Sequence, residues 1–307
     1  MEISLKKYLG LCNIVMQSNT SEPIHLHTDV SFSAAHLSEP VIATFQDIIY
    51  THYQYHPRRF PWRETFNPYH ILVSEVMLQQ TQADRALTKY QEFIATFPSF
   101  QSLADASFDR ILNIWQGLGY NRRARALKTI AEQVIAENNG VLPDSVEQLQ
   151  QLPGIGPYTA AAICAFAFNQ PVVLIETNIQ SVYLHFFFKG ETHISDTELV
   201  PLIKQTLHYS NPREWYYALM DYGAMLKKRH KNPSRRSKQY HKQTKFQGSD
   251  RQLRGAVLHL LLKTPGLTSS QISLKLQENE QRITPLLLQL QKEKLICKQK
   301  NTFYIAA

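Results

Sequence analysis

From Val41 to about residue 226 the chain is a succession of segments whose apolar residues recur at helical spacing, and no extended run alternates as a half-buried strand would. This pattern predicts an all-α fold. Ile42, Phe45, Ile48, Ile49 and Tyr53 carry it in the first segment. His56-Pro57 stops that helix, because proline disfavours a helical residue before it. Further helices are predicted over Tyr69–Thr96, Leu103–Ala106, Phe108–Gln116, Arg122–Asn138, Val146–Gln151, Tyr158–Phe168, Asn178–Phe188, Asp196–Leu207 and Arg213–Met225, many of them separated by short Pro/Gly/Asn breaks. There is no internal repeat.

The flanks read differently. Residues 1–38 show no sustained periodicity and are expected to form a loose tail. The apolar start is interrupted and has no small-residue cleavage site, so it is not read as a secretory signal. No apolar stretch reaches the length of a membrane span. Residues 227–250 read as a basic linker: the stretch 227–245 holds nine Lys/Arg and no acid. Such a run is either a solvated linker or a strap that contacts phosphates, with Lys227, Lys228, Arg229, Arg235 and Arg236 as the contacts.

Residues 251–307 read as a small winged-helix-like domain. Leu253, Val257, Leu260 and Leu261 mark its first helix. Ser269 or Ser270 is expected to cap a second, Gln271–Gln277, and Thr284 a third that starts with Pro285. Two strands, Ile296–Gln299 and Thr302–Ile305, flank Lys300-Asn301. The third helix is mostly apolar, which fits a packing or protein-interaction module as well as a base reader.

With 33 Lys/Arg against 25 Asp/Glu, the chain carries a net charge of +8, which points to a polyanionic partner. Cys12, Cys164 and Cys297 can form neither a disulfide framework nor a four-cysteine metal site. A reduced, cytoplasmic setting and no bound metal are therefore expected; the chain is also expected to be a monomer.

Leu152-Pro-Gly-Ile-Gly-Pro-Tyr-Thr-Ala reads as a turn that opens a helix. Gly154 and Gly156 allow unusual dihedrals and close backbone approach. The free N–H groups at the start of the following helix attract phosphate. Such a hairpin grips a nucleic-acid backbone without reading its sequence. Upstream, Glu75 lies within an apolar helical stretch that ends in the amides Gln79, Gln80 and Gln82. A lone glutamate usually faces solvent. A partly buried one holds its proton to higher pH and can act as a general acid, as the protonation of a leaving purine requires.

These motifs resemble a known family. Phe60-Pro-Trp-Arg63, Ser74-Glu-Val-Met-Leu-Gln-Gln-Thr-Gln82, Trp115-Gln-Gly-Leu-Gly-Tyr120, Leu152-Pro-Gly-Ile-Gly156 and Ala218-Leu-Met-Asp-Tyr-Gly-Ala224 stand in the order and spacing of MutY-type adenine DNA glycosylases of the helix-hairpin-helix superfamily. The resemblance covers roughly residues 41–226. It implies a core over 39–226 made of two all-α lobes, a six-helix lobe at about 66–172 and a second lobe from 39–65 plus 173–226. A flipped base would lie between them, in double-stranded DNA carrying a mismatch or lesion.

The resemblance also implies roles for individual residues. Glu75 would protonate the adenine and handle water. Gln80, Thr81, Leu118 and Tyr120 would wedge the helix and surround the partner base, an oxidised guanine in the usual substrate; independently of the resemblance, the amides Gln79, Gln80 and Gln82 suit contacts to bases or to a gap in the helix. Tyr120 could stack on a base and Leu78 could plug the helix; both side chains are otherwise ordinary core filling. Bifunctional relatives resembling endonuclease III carry a Schiff-base lysine directly after the Gly-Ile-Gly-Xaa turn. Tyr158 stands at that position here, which implies base removal without strand cleavage through an imine.

Three departures qualify the match. The family's Asp-Gly-Asn becomes Glu176-Thr177-Asn178, so the second carboxylate is longer by one methylene and Asn178 remains to orient it. The four cysteines of the family's iron–sulfur cluster have no counterpart, so no cofactor is expected. The small domain at 251–307 does not resemble the family's Nudix-like domain. The leading expectation is a monofunctional glycosylase of base excision repair, acting on adenine opposite guanine or oxidised guanine. The same fold acting on thymine or uracil opposite guanine, or on a deaminated purine, is the nearest alternative. A non-catalytic DNA-binding regulator is a further one.

Overall fold

The computed structural model describes residues 36–230, 232–240 and 245–307. The predicted tail, up to residue 35, lies outside the described residues. Fourteen helices are present among the described residues. They are α1 (Glu39–Tyr55), α2 (Pro68–Leu78), α3 (Ala83–Thr96), α4 (Phe100–Ala104), α5 (Phe108–Trp115), α6 (Arg122–Asn138), α7 (Val146–Leu149), α8 (Pro157–Phe168), α9 (Thr177–Phe186), α10 (Asp196–Thr206), α11 (Pro212–Arg229), α12 (Asp250–Lys263), α13 (Ser269–Leu276) and α14 (Glu280–Lys292). Short 3-10 turns occupy Pro61–Arg63 and Pro233–Arg236. An antiparallel hairpin, β1 (Ile296–Gln299) and β2 (Thr302–Ile305), pairs Ile296 with Ile305 and Gln299 with Thr302. None of the described helices is long and apolar enough to cross a membrane.

The chain divides into two compact units. The first comprises the described residues of Met1–Arg59 and Asn169–Lys242. Its core follows from the spacing of apolar residues on α1, where Val41, Phe45 and Ile49 fall four apart on one face and are buried. The Phe45 ring meets Tyr183, Phe186, Phe187 and Trp215 with centroids 5.1–5.7 Å apart. Aromatic pairs at such distances add to the burial of their area.

The second unit comprises Phe60–Phe168 and the described residues of Gln243–Ala307. Helices α2 and α8 pack together at its centre and are buried on all sides: Ile71–Met77 and Thr159–Ala167 are unbroken buried runs. Phe60 stacks on Trp62 at 4.8 Å, and Trp62 meets the edge of Tyr90, so the Phe60-Pro-Trp-Arg63 motif serves as an aromatic staple.

The structure corrects three expectations. The helix predicted over Tyr69–Thr96 breaks at Gln79–Gln82, with Gln80 at φ 55°. The cause is distant in sequence: Arg123 Nη1 donates to the carbonyl oxygens of Val76, Met77 and Gln79 at 2.9, 2.8 and 2.7 Å, ending α2 where periodicity alone would continue it.

The basic segment is also only partly a linker. Helix α11 runs on to Arg229, and Pro233–Arg236 folds back on α9. There the Arg236 guanidinium donates to the carbonyls of Leu184 and Phe188, and Ile194 bridges Ser237.

In the C-terminal module the strands match their predicted bounds, but the caps shift. Thr268 caps α13 in a reciprocal pair with Gln271, and Asn279 caps α14, leaving Pro285 inside that helix. The module belongs to the second unit. Arg251 Nη1 donates to Tyr120 Oη at 3.0 Å, His259 Nδ1 lies 2.5 Å from Gln116 Oε1, and Glu293 pairs with Arg254.

Candidate active site and nucleic-acid interface

In the second unit the candidate acid sits on α2. Asn67 caps this helix, its side chain accepting from the amides of Tyr69 and His70, and Pro68 supplies the preset first turn. Every residue from Tyr69 to Met77 except His70 is buried, and Glu75 is 4% exposed. The ordinary solvent-facing role of a glutamate is therefore excluded.

One side chain ties the end of α2 to the hairpin. Gln79 Nε2 donates to the Gly154 carbonyl at 3.2 Å and to Thr159 Oγ1 at 3.0 Å. As an amide beside the acid, Gln79 is expected on DNA; its side chain is instead half-buried and bonded to the hairpin. The hairpin itself runs from α7 to α8. Gly154 adopts φ +76°, and an added Cβ would stand 3.1 Å from Ala126 Cβ, so both dihedral and space call for glycine. Gly154 and Gly156 are exposed, Ile155 anchors the turn at 5% exposure, and Tyr158 is half-buried at the start of α8.

The Gln116–Tyr120 loop is organised by a residue that the sequence reading passed over. Arg123 Nη2 donates to Leu118 O at 3.2 Å, Gly119 O at 3.0 Å and Thr81 Oγ1 at 3.2 Å. Together with its bonds to α2, this one guanidinium fixes both the Gln79–Gln82 break and the loop. Burial lowers its pKa to about 10, so it stays charged at neutral pH. A signal for it existed: the first turn of α6 carries Arg122 and Arg123 and no acid, against the helix dipole.

Within these two segments Gln80 is exposed, while Thr81 and Tyr120 are half-buried. Leu118 is 4% exposed, so here it is a core side chain rather than a wedge presented to DNA.

In the first unit, Glu176 caps α9. Its Oε1 accepts from the amides of Asn178 at 2.7 Å and Ile179 at 2.9 Å, and Oε2 accepts from Asn178 Nδ2 at 3.1 Å. Tyr216 clamps the approach, accepting from the Leu174 amide and donating to Val172 O. Glu176 keeps partial contact with solvent, yet its carboxyl lies deep. Burial pushes its pKa up; Lys227, the amides of Ile179 and Asn178, and Arg58 pull the other way.

The five basic candidates separate. Lys227 is half-buried and donates to Thr177 Oγ1 at 2.9 Å, and Arg236 is committed to the carbonyls of α9, so neither is a free phosphate contact. Lys228, Arg229 and Arg235 are exposed. Among the described residues, no group of three or more His, Cys, Asp or Glu is placed to hold a metal ion.

Residues 73–204 match the family model described as "HhH-GPD superfamily base excision DNA repair protein". An adenine DNA glycosylase from Buchnera aphidicola subsp. Baizongia pistaciae (strain Bp) is 34% identical over 186 residues, covering 59% of this chain and 52% of that protein. One from Mycobacterium tuberculosis (strain ATCC 25618 / H37Rv) is 43% identical over 131 residues, 42% of this chain and 43% of that protein. The Homo sapiens adenine DNA glycosylase is 32% identical over 67% of this chain and 40% of its own length. The chain thus spans about half the length, or less, of these relatives. Among solved structures, a thermostable thymine-DNA glycosylase superposes with a TM-score of 0.55 at 28% identity, covering 60% of this chain and 86% of that one. With the hairpin, the buried acid and the capping carboxylate, these likenesses show that residues 73–204 are similar to the HhH-GPD superfamily of base excision DNA repair proteins.

Proposed function

We propose that this chain is a monofunctional DNA glycosylase that hydrolyses the N-glycosidic bond of a flipped, mispaired base, with adenine opposite guanine or oxidised guanine as substrate. The carrying observation is the Gln79 tie, which holds the helix bearing the buried Glu75 in fixed register with the phosphate-gripping turn at Gly154. An acid held rigidly relative to the DNA backbone can be presented to a flipped base. In this reading Glu75 protonates the leaving base and handles the water, and Glu176 offsets the positive charge that develops on the sugar. Tyr158 offers no amine, so base loss is not followed by cleavage through an imine. The enzyme acts as a monomer on double-stranded DNA in the cytoplasm.

We further propose that it works without a four-cysteine iron–sulfur cluster. The residues do not fit one: 227–245 contains no cysteine, and Ser234, Arg236 and Ser237 pack residues 234–237 onto the protein.

A panel of mismatched duplexes, treated with alkali to cleave abasic sites, tests the function. Adenine opposite guanine or oxidised guanine is expected to be incised most, with no cleavage before alkali. A specific observation favours a second reading, excision of thymine or uracil opposite guanine or of a deaminated purine: the 28% identity to the thymine-DNA glycosylase, together with the longer Glu176. The panel decides between them, and incision of no duplex would leave a DNA-binding regulator.

Binding should also fall steeply with salt. Neutralising the exposed Lys228, Arg229 and Arg235 is expected to lower the slope of log K against log salt by about one unit for each phosphate that is no longer paired with a cation. A slope unchanged in the triple variant would mean that the segment is structural only.

A further inference from the structure

The chemistry proposed for Glu176 needs an ionised carboxyl, and its burial opposes the charge. The groups able to hold that charge stand on several elements. The α9 amides of Asn178 and Ile179 belong to the cap itself. Arg58 already pairs with Asp221, its Nε 2.5 Å from Oδ1 and its amide 2.8 Å from Oδ2. On α10, Asp196 accepts from Gln180 at 2.5 Å, Glu198 accepts from the Ser195 amide and hydroxyl, and Lys204 lies in the last turn of the helix. On the 3-10 turn, Arg235 is exposed and Arg236 is held at the far end of α9. On α11, Lys228 and Arg229 are exposed. Lys227 is left.

Its position is built by the backbone. At Gly223 an added Cβ would stand 2.2 Å from the carbonyl oxygen of Asn178, so α11 touches the start of α9 backbone to backbone. Lys227 lies one turn further along the same face of α11. That contact delivers Lys227 Nζ to Thr177 Oγ1 at 2.9 Å, and the Thr177 hydroxyl faces Glu176 Oε2 at 3.4 Å. A half-buried lysine loses part of its hydration, and the carboxylate opposes the resulting fall in its pKa. The Thr177 hydroxyl thus stands between that lysine and the Glu176 carboxyl.

We propose that Lys227 is a positioning residue that, through Thr177, holds Glu176 in its ionised, helix-capping form. The inference deepens the reading of Glu176 as the sugar-facing carboxylate and rests on it. The sign follows from the charges. A nearby cation favours the carboxylate, so removing it makes Glu176 take up a proton at higher pH.

Single-turnover excision by the full chain is measured against pH for the parent enzyme, Lys227→Met, Lys227→Gln and Lys227→Arg. The acid limb of both uncharged variants is expected about one pH unit higher, about a tenfold loss of rate on that limb. Lys227→Arg restores the parent limb. An acid limb that does not move in Lys227→Met, or a parent-like limb in Lys227→Gln, overturns the proposal.

A second measurement does not depend on activity. The Glu176 carboxyl carbon is titrated by 13C NMR, its signal assigned by its loss in Glu176→Gln. Its midpoint is expected to rise in Lys227→Met, and a fixed midpoint overturns the coupling. If the midpoint moves while Glu176→Gln excises at the full rate, the role given to Glu176 fails and the Lys227 coupling stands.

Discussion

Glu75→Gln is expected to abolish detectable base excision while leaving duplex affinity within a fewfold of the parent. The substitution keeps the size of a side chain that is 4% exposed, so α2 stays packed, but it removes the proton that a departing purine needs. Loss of a positioned general acid costs about 100- to 10,000-fold in rate. Duplex affinity should persist because the Gly154–Gly156 turn, and the Gln79 bonds that hold it against α2, are untouched. Single-turnover incision and an equilibrium binding titration on the same duplex measure the two effects separately. Near-parental turnover in the variant would remove Glu75 from the mechanism.

The second large effect is at Glu176. Glu176→Gln should slow excision by about a hundredfold or more with little change in binding. A charge that offsets a developing cation in a water-poor site is worth about 3–4 kcal/mol. Glutamine retains an oxygen to accept from the amides of Asn178 and Ile179, so the α9 cap should persist and the rate loss should report the missing charge. Glu176→Asp asks a finer question. Aspartate is the better helix cap in general. Here, however, the longer chain carries Oε2 to Asn178 Nδ2 at 3.1 Å and towards Thr177 at 3.4 Å. A site built around glutamate should therefore lose rate with aspartate, since a displacement of about one ångström can cost up to about a hundredfold. Preserved or faster adenine excision by Glu176→Asp would mean that the site only tolerates the extra methylene. A fully active Glu176→Gln would leave Glu176 as a structural cap.

Much of the arrangement was legible in the sequence because its causes are local. The 3.6-residue spacing of apolar side chains depends on neighbours within a turn or two, so Arg122–Asn138 has the bounds that periodicity predicts. The strands Ile296–Gln299 and Thr302–Ile305 follow from a short pattern around Lys300-Asn301, where Lys300 takes the left-handed conformation at φ 54°. Gly154 announces its own dihedral, and a run such as Ile71–Met77, apolar but for Ser74 and Glu75, foretells a buried carboxyl.

What only the tertiary structure decided are the bonds that long side chains make to distant backbone. Arg123 ends α2 from more than forty positions away, so no window on Tyr69–Thr96 could place that break. Lys227 and Arg236 look alike within one basic run, yet one reaches Thr177 and the other the carbonyls of Leu184 and Phe188, fifty or so positions back. The three helices and the hairpin of the C-terminal module were legible, but not its contacts with Gln116 and Tyr120, which His259 and Arg251 reach across 143 and 131 positions. Composition and periodicity record how a residue partitions between water and core. They carry no record of which carbonyl or hydroxyl a cation meets once the helices pack, because that depends on the positions of all of them together.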